Sequence, residues 1–289
     1  MSAATRPLRA VVGRSYRLSR TVARARMARA VPTGASPLVV CSMGKTGSTA
    51  LARALADATG EHVFQVFRLD RVEAEAAERR YRAAHPTAAP GPVPFPGALH
   101  LWESAFLARR PPRPDAPWRV IVPVREPVAQ AVSAFFHALD GRGVTTIDPA
   151  SARRDLLDEG WLERPARWFD REIGPTLGID VYAVGPAPVA MPVEVSGAGV
   201  RLLFVRLEDA ATTPAALGRF LGRPGPVPVP ARNEASGRRY ADAYGAFVAA
   251  PGLPAAALDA AYGSEYARYF YSASEIAAFR TRWGAPDRR

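Results

Sequence analysis

Lysine is nearly missing from this chain of 289 residues. Of its 38 basic side chains only Lys45 is a lysine, and every other is an arginine. Cysteine occurs once, at Cys41, which rules out an internal disulfide and fits a reducing cytoplasm. That cysteine and the four histidines have no ligand spacing among them, so no zinc site, and no metal cofactor, is expected. The first 36 residues contain no acid and eight arginines, so most of the formal charge of +11 sits there and the body carries only about +3. A basic groove along the fold, and with it a nucleic-acid partner, is disfavoured. Nor does this stretch hold an apolar run long enough for a signal-peptide core or a membrane span. There is no internal repeat.

What is present is a globular composition, 48% hydrophobic and 22% charged, sufficient for a substantial core. Residues 1–36 read as a basic, flexible N-terminal tail. Their arginines also recur every three or four residues beside Val11, Val12, Leu18 and Val22, the pattern of an amphipathic helix on an anionic membrane surface, so peripheral membrane contact stays open. Residues 37–289 read as one α/β domain. Strands are expected at Leu38–Cys41, Glu61–Phe67, Trp118–Val124, Ile179–Val184 and Val200–Leu207, with helices at about 48–58, 70–84, 127–138 and 161–174. Such alternation predicts a mostly parallel central sheet covered on both faces. Toward the C-terminus aromatic residues recur at helical spacing, which fits a helical cap whose aromatics are core. His85–Gly97, with five prolines and two glycines, reads as a long irregular connection and a substrate wall. Lys45, Arg125 and Glu208 each follow a strand directly, which places them on the rim where ligands of parallel sheets sit.

Two stretches carry the chemistry. Leu38 to Cys41 runs into Gly44-Lys45-Thr46-Gly47-Ser48-Thr49, and Leu51, Ala54 and Leu55 then keep helical spacing. This is strand, phosphate-sized loop and helix: the glycines permit a tight turn, and the first N–H groups of the helix have no internal partner. The helix dipole adds positive charge at the same point, so an oxyanion is the natural occupant. In a strict P-loop the lysine would follow the second glycine; here it precedes it. The second stretch is Val120-Ile121-Val122-Pro123-Val124-Arg125-Glu126-Pro127, with Ser133 eight residues beyond Arg125, about two helical turns. A guanidinium fork with a hydroxyl suits a terminal phosphate monoester. Plainer readings exist for each piece: a solvated turn, a salt bridge at a helix start, a hydroxyl on a helix surface.

Lys45-Thr46-Gly47-Ser48-Thr49 resembles the loop with which sulfotransferases hold the 5'-phosphosulfate of PAPS (3'-phosphoadenosine 5'-phosphosulfate). Arg125-Glu126-Pro127 with Ser133 resembles the family's site for the 3'-phosphate, and Leu202–Asp209 with Pro214, Leu217 and Phe220 resembles its late strand, acidic pair and small helix. The resemblance spans about residues 37 to 222. Asn233–Tyr240 and Tyr269–Ile276 are similar to a sulfotransferase-like branch described as capsular polysaccharide synthesis proteins. It implies a P-loop-like three-layer fold and sulfuryl transfer from PAPS, as co-substrate, to a hydroxyl acceptor such as a glycan, without a metal. Carried over, Lys45, Thr46, Gly47, Ser48, Thr49, Arg125 and Ser133 bind the cofactor, with Arg238 above its phosphates. Lys45 is also catalytic, neutralising the bridging oxygen as it leaves.

An acceptor hydroxyl also wants a general base. His100, with Glu103 one helical turn away, is the first choice; Glu103 itself, Asp70 and His62 are alternatives, and His137 reads as a surface residue. Two rivals stand beside the enzyme reading. One is a nucleotide-dependent kinase, opposed by the misplaced lysine and the lack of a magnesium-binding carboxylate after a strand. The other is a catalytically inactive protein that binds a nucleotide or a glycan.

Overall fold

The computed structural model describes residues 15–32, 34–86, 95, 97–184, 191–197, 199–230 and 237–285. Five strands, β1 (Leu38–Cys41), β2 (Val63–Val66), β3 (Trp118–Val124), β4 (Val193–Gly197) and β5 (Val200–Arg206), form one sheet in the order β2-β1-β3-β5-β4. All neighbours are parallel except β4, which lies antiparallel on β5 at one edge.

Every residue of β1 is buried, because its alternating side chains enter two different cores. On one face α2 (Ser48–Thr59) and α9 (Thr213–Phe220) pack Leu51, Leu55, Leu217 and Phe220 against Leu38 and Val40. On the other, α4 (Ala98–Leu107) and α7 (Arg164–Glu172) bring Trp102, Phe106 and Phe169 to the side of Val39 and Cys41. A third cluster joins α5 (Pro127–Gly141), α6 (Pro149–Asp158), α10 (Ala241–Ala249), α11 (Ala255–Tyr262) and α13 (Ala273–Trp283). Tyr262, Tyr266, Phe270 and Trp283 are buried there or against the sheet, so the late aromatics are core as expected. Among the described residues no helix is long and apolar enough to cross a membrane.

Three expectations need correction. The flexible tail does not extend through residues 15–32: α1 (Tyr16–Ala30) is capped by Ser15 and docks on the body. Tyr16 and Met27 are buried, and the Tyr16 hydroxyl donates to Glu78 at 3.2 Å while accepting from Trp102 Nε1 at 2.9 Å. Residues Ile179–Val184 are not a strand. The Asp180 carboxylate takes the N–H groups of Tyr182 and Ala183 at 3.1 and 3.2 Å, and this local turn, at a short 3₁₀ helix, competes with pairing. The edge is filled by β4, whose half-polar Val-Glu-Val-Ser-Gly pattern suits a strand with one wet side. The 161–174 helix begins only at Arg164, with Pro165 in its first turn, and α8 (Gly174–Leu177) follows.

Candidate functional site

The order of strands fixes where a ligand would lie. From β1 the chain moves outward to β2, then returns past β1 to β3 and continues toward β5, so the connections after β1 and β3 leave in opposite directions. A crevice opens at the carboxyl ends of two such strands. Here those strand ends carry the Ser42–Gly47 loop and Arg125.

That loop is held in a shape it would not choose freely. Gly44 and Gly47 have positive φ (85° and 76°), and so does Lys45 (58°), the one described residue other than glycine that does. Such a conformation costs a non-glycine residue about 1–2 kcal/mol and persists only when neighbours impose it. They do: the Lys45 carbonyl accepts from Arg125 Nη1 at 3.0 Å, the Gly44 carbonyl from Gln130 Nε2 at 3.1 Å, and Ser42 Oγ accepts from the Gly44 N–H at 3.2 Å. A Cβ on Gly47 would stand 3.1 Å from Leu207 Cδ1, a second reason for glycine there.

The Gly44 and Lys45 carbonyls are thus fastened to Gln130 and Arg125. The N–H groups of Gly47, Ser48 and Thr49 find no acceptor among the described residues. Thr46 is 2% exposed, yet its hydroxyl has no hydrogen-bond partner among them either. A buried orphan of this kind asks for an outside acceptor, and an oxyanion at the α2 N-terminus supplies one. Ser48 Oγ and Thr49 Oγ1 both accept from Gln65 Nε2, at 3.0 and 3.1 Å. Arg125 uses one donor on Lys45, and the rest of its fork has no partner among the described residues. Ser133 is 8% exposed and lies three residues beyond Gln130 on α5, on the face that reaches the loop. Thus Lys45, Thr46, Gly47, Ser48, Thr49, Arg125 and Ser133 lie together where β1 and β3 end and the helices after them begin.

No family model, curated protein or solved structure matches this chain.

The candidates for a general base separate. His100 Nδ1 lies 3.0 Å from the Gln65 carbonyl; a carbonyl only accepts, so Nδ1 carries a proton, and in a neutral ring Nε2 is then the acceptor. The ring meets Phe67 edge-on at 4.9 Å, and Phe67 in turn borders Gly44, which brings His100 to the loop's end of the sheet. Glu103 does not join it. It is 2% exposed, Oε2 accepts the Gln65 N–H at 3.0 Å, and Oε1 lies 3.2 Å from His62 Nε2, so this carboxylate satisfies the outer edge of β2. His62 belongs to that same edge pair. Asp70 caps α3 (Arg71–Ala84), accepting from the Glu73 N–H at 2.8 Å. Arg238 is exposed on the stretch before α10 where Arg239 pairs with Asp140 at 2.8 Å, near the far end of α5, and His137 is exposed on that helix. Of the stretch Asn233–Tyr240 that carries Arg238, residues 233–236 lie outside the described residues.

The acid in Arg125-Glu126-Pro127 is structural. Glu126 is 2% exposed and accepts from the N–H groups of Val128 and Ala129, from the Tyr262 hydroxyl and from Trp283 Nε1, all at 2.7–3.0 Å. Burial pushes its carboxyl above the ordinary range, against those four donors. Glu208 accepts from the Glu126 N–H at 2.9 Å and from the Tyr271 hydroxyl at 3.1 Å, and the Tyr266 hydroxyl donates to the Arg125 carbonyl at 2.8 Å. The C-terminal helices therefore lock the strand ends that present Arg125. The sequence reading passed over Gln65 and Gln130; a lone amide inside the apolar strand Val63–Val66 was the available signal for the first.

Proposed function

We propose that this protein transfers a sulfuryl group from PAPS to a hydroxyl, with a glycan as acceptor, on a P-loop-like fold. One observation carries the reading: Arg125 Nη1 meets the Lys45 carbonyl at 3.0 Å, so the residues suited to each end of a doubly charged adenosine nucleotide flank a single crevice. The orphaned Thr46 hydroxyl and the unused N–H groups of Gly47, Ser48 and Thr49 fit the 5'-phosphosulfate. Arg125 and Ser133 fit the 3'-phosphate. Arg238, exposed before α10, remains a candidate for contact from above.

Sulfuryl transfer, like phosphoryl transfer, demands positioning and charge stabilisation more than covalent help. In this reading Lys45 places a compact ammonium where the bridging oxygen gains charge, and the α2 N-terminus holds the phosphate still. His100 Nε2 takes the proton of the acceptor hydroxyl.

Calorimetry with 3'-phosphoadenosine 5'-phosphate and with ATP, on the wild type and on Arg125→Ala, tests it. The expected result is tighter binding of the 3'-phosphorylated nucleotide and loss of that preference in Arg125→Ala. Binding indifferent to the 3'-phosphate, or to Arg125, overturns the assignment.

A further inference from the structure

A second basic site lies outside this rim, in a cleft of about 450 Å3 between α1 and α3. That volume falls within the roughly 300–1,000 Å3 of small-molecule sites. From α1 it takes Arg17 and Arg20, one helical turn apart; from α3 it takes Glu75, Glu78, Arg79 and Arg82, a single stripe at three- and four-residue spacing. Arg109, two residues beyond α4, also lines it.

Both acids are already engaged. Glu78 accepts from Arg20 Nη2 at 3.0 Å and from the Tyr16 hydroxyl at 3.2 Å, and Glu75 accepts from Arg109 at 2.8 Å and Arg71 at 3.3 Å. Arg17, Arg79 and Arg82 are left with no acidic partner among the described residues. Three guanidinium groups facing one cleft repel one another unless an anion joins them. Each fork can grip a phosphate or sulfate with two parallel hydrogen bonds. The cleft walls are not loose: Tyr16, at the base of α1, is pinned between Trp102 and Phe95 with ring centroids at 5.4 and 5.2 Å.

We propose that this cleft binds a small polyanion bearing two or more phosphate or sulfate groups. It shares no residue with the Lys45–Arg125 crevice, so it stands or falls apart from the function proposed for that crevice. The same chemistry could be offered by a soluble ligand or by a phosphorylated lipid headgroup, and the experiment separates the two.

Calorimetry uses inorganic tripolyphosphate on the full chain carrying Lys45→Ala and Arg125→Ala, which silences the rim. Binding is expected to survive there and to weaken at least about tenfold on adding Arg79→Ala with Arg82→Ala. Both are exposed side chains, and an unchanged melting temperature verifies the fold. Arg17→Ala on the opposite wall is expected to weaken binding in the same direction. Phosphatidylcholine vesicles with and without phosphatidylinositol bisphosphate form the second arm. Sedimentation only with the bisphosphate, lost in the same variant, supports the site with a lipid headgroup as its source; tripolyphosphate binding without sedimentation supports it with a soluble one. Absence of both, or binding indifferent to Arg79, Arg82 and Arg17, overturns the proposal.

Discussion

The side-chain amide of Gln65 donates to Ser48 Oγ at 3.0 Å and to Thr49 Oγ1 at 3.1 Å, tying the second strand to the first turn of α2. Both hydroxyls accept from the strand side, so their own protons remain available on the other. Gln65→Leu keeps the volume and removes that orientation. Affinity for 3'-phosphoadenosine 5'-phosphate is expected to fall about three- to tenfold. Unchanged affinity by calorimetry would mean that the hydroxyls do not need the amide.

Lys45 sits in a backbone conformation suited to glycine (φ 58°). Lys45→Gly is therefore expected to be as stable as the wild type or up to about 1 kcal/mol more stable in urea unfolding, while losing sulfuryl transfer. A clear loss of stability would show that the side chain, not the site's chemistry, explains the strain. In Lys45→Ala turnover should fall more than nucleotide affinity; equal losses would make the ammonium a binding group only.

Glu103 and His100 both grip the main chain of Gln65, but the carboxylate has each oxygen engaged, one by the Gln65 N–H and one beside His62. Glu103→Gln is expected to lose about 1–3 kcal/mol of stability, from a poorly satisfied β2 edge, with kcat nearly unchanged. His100→Ala should lower kcat by roughly 10²–10⁴ and leave nucleotide affinity alone. The reverse pattern would move the base to the carboxylate.

Burial pushes the Tyr16 hydroxyl up to about 12, with the adjacent Glu78 carboxylate adding to the rise and Trp102 opposing it. Because the folded value lies above the unfolded one near 10, the neutral phenol's contribution is complete below about pH 10. It is lost as pH climbs through about 12. Melting temperature should drop over that interval as α1 undocks, and the drop should shrink in Tyr16→Phe, which at neutral pH loses only about 1 kcal/mol. An identical alkaline profile in both proteins would assign the transition to another group.

Much of the sheet was legible because most of its strands are short apolar runs. Trp118–Val124 and Leu38–Cys41 have the expected limits, and Ser48–Thr59 ends one residue beyond its own. The misses share a cause. Ile179–Val184 has strand composition but an aspartate that satisfies its own neighbours, and the strand that takes the edge is half polar. α1 looked like a solvated basic segment because its anchors, Tyr16 and Met27, are two apolar positions among arginines.

By itself the sequence determined the local chemistry: a tight glycine loop opening a helix, one lysine within it, and an arginine heading a second helix. Those follow from backbone sterics and from donors left over at a helix start, which act within a few residues. Only the tertiary structure decided that β1 and β3 are neighbours at a switch of direction, and so that Arg125 meets the main chain of Lys45. It also decided which acids are mere fasteners, since the partners of Glu103 and Glu126 come from segments 38 and 157 residues away. Long-range packing chooses such partners by burial and hydrogen-bond demand, quantities that no short stretch of chain contains.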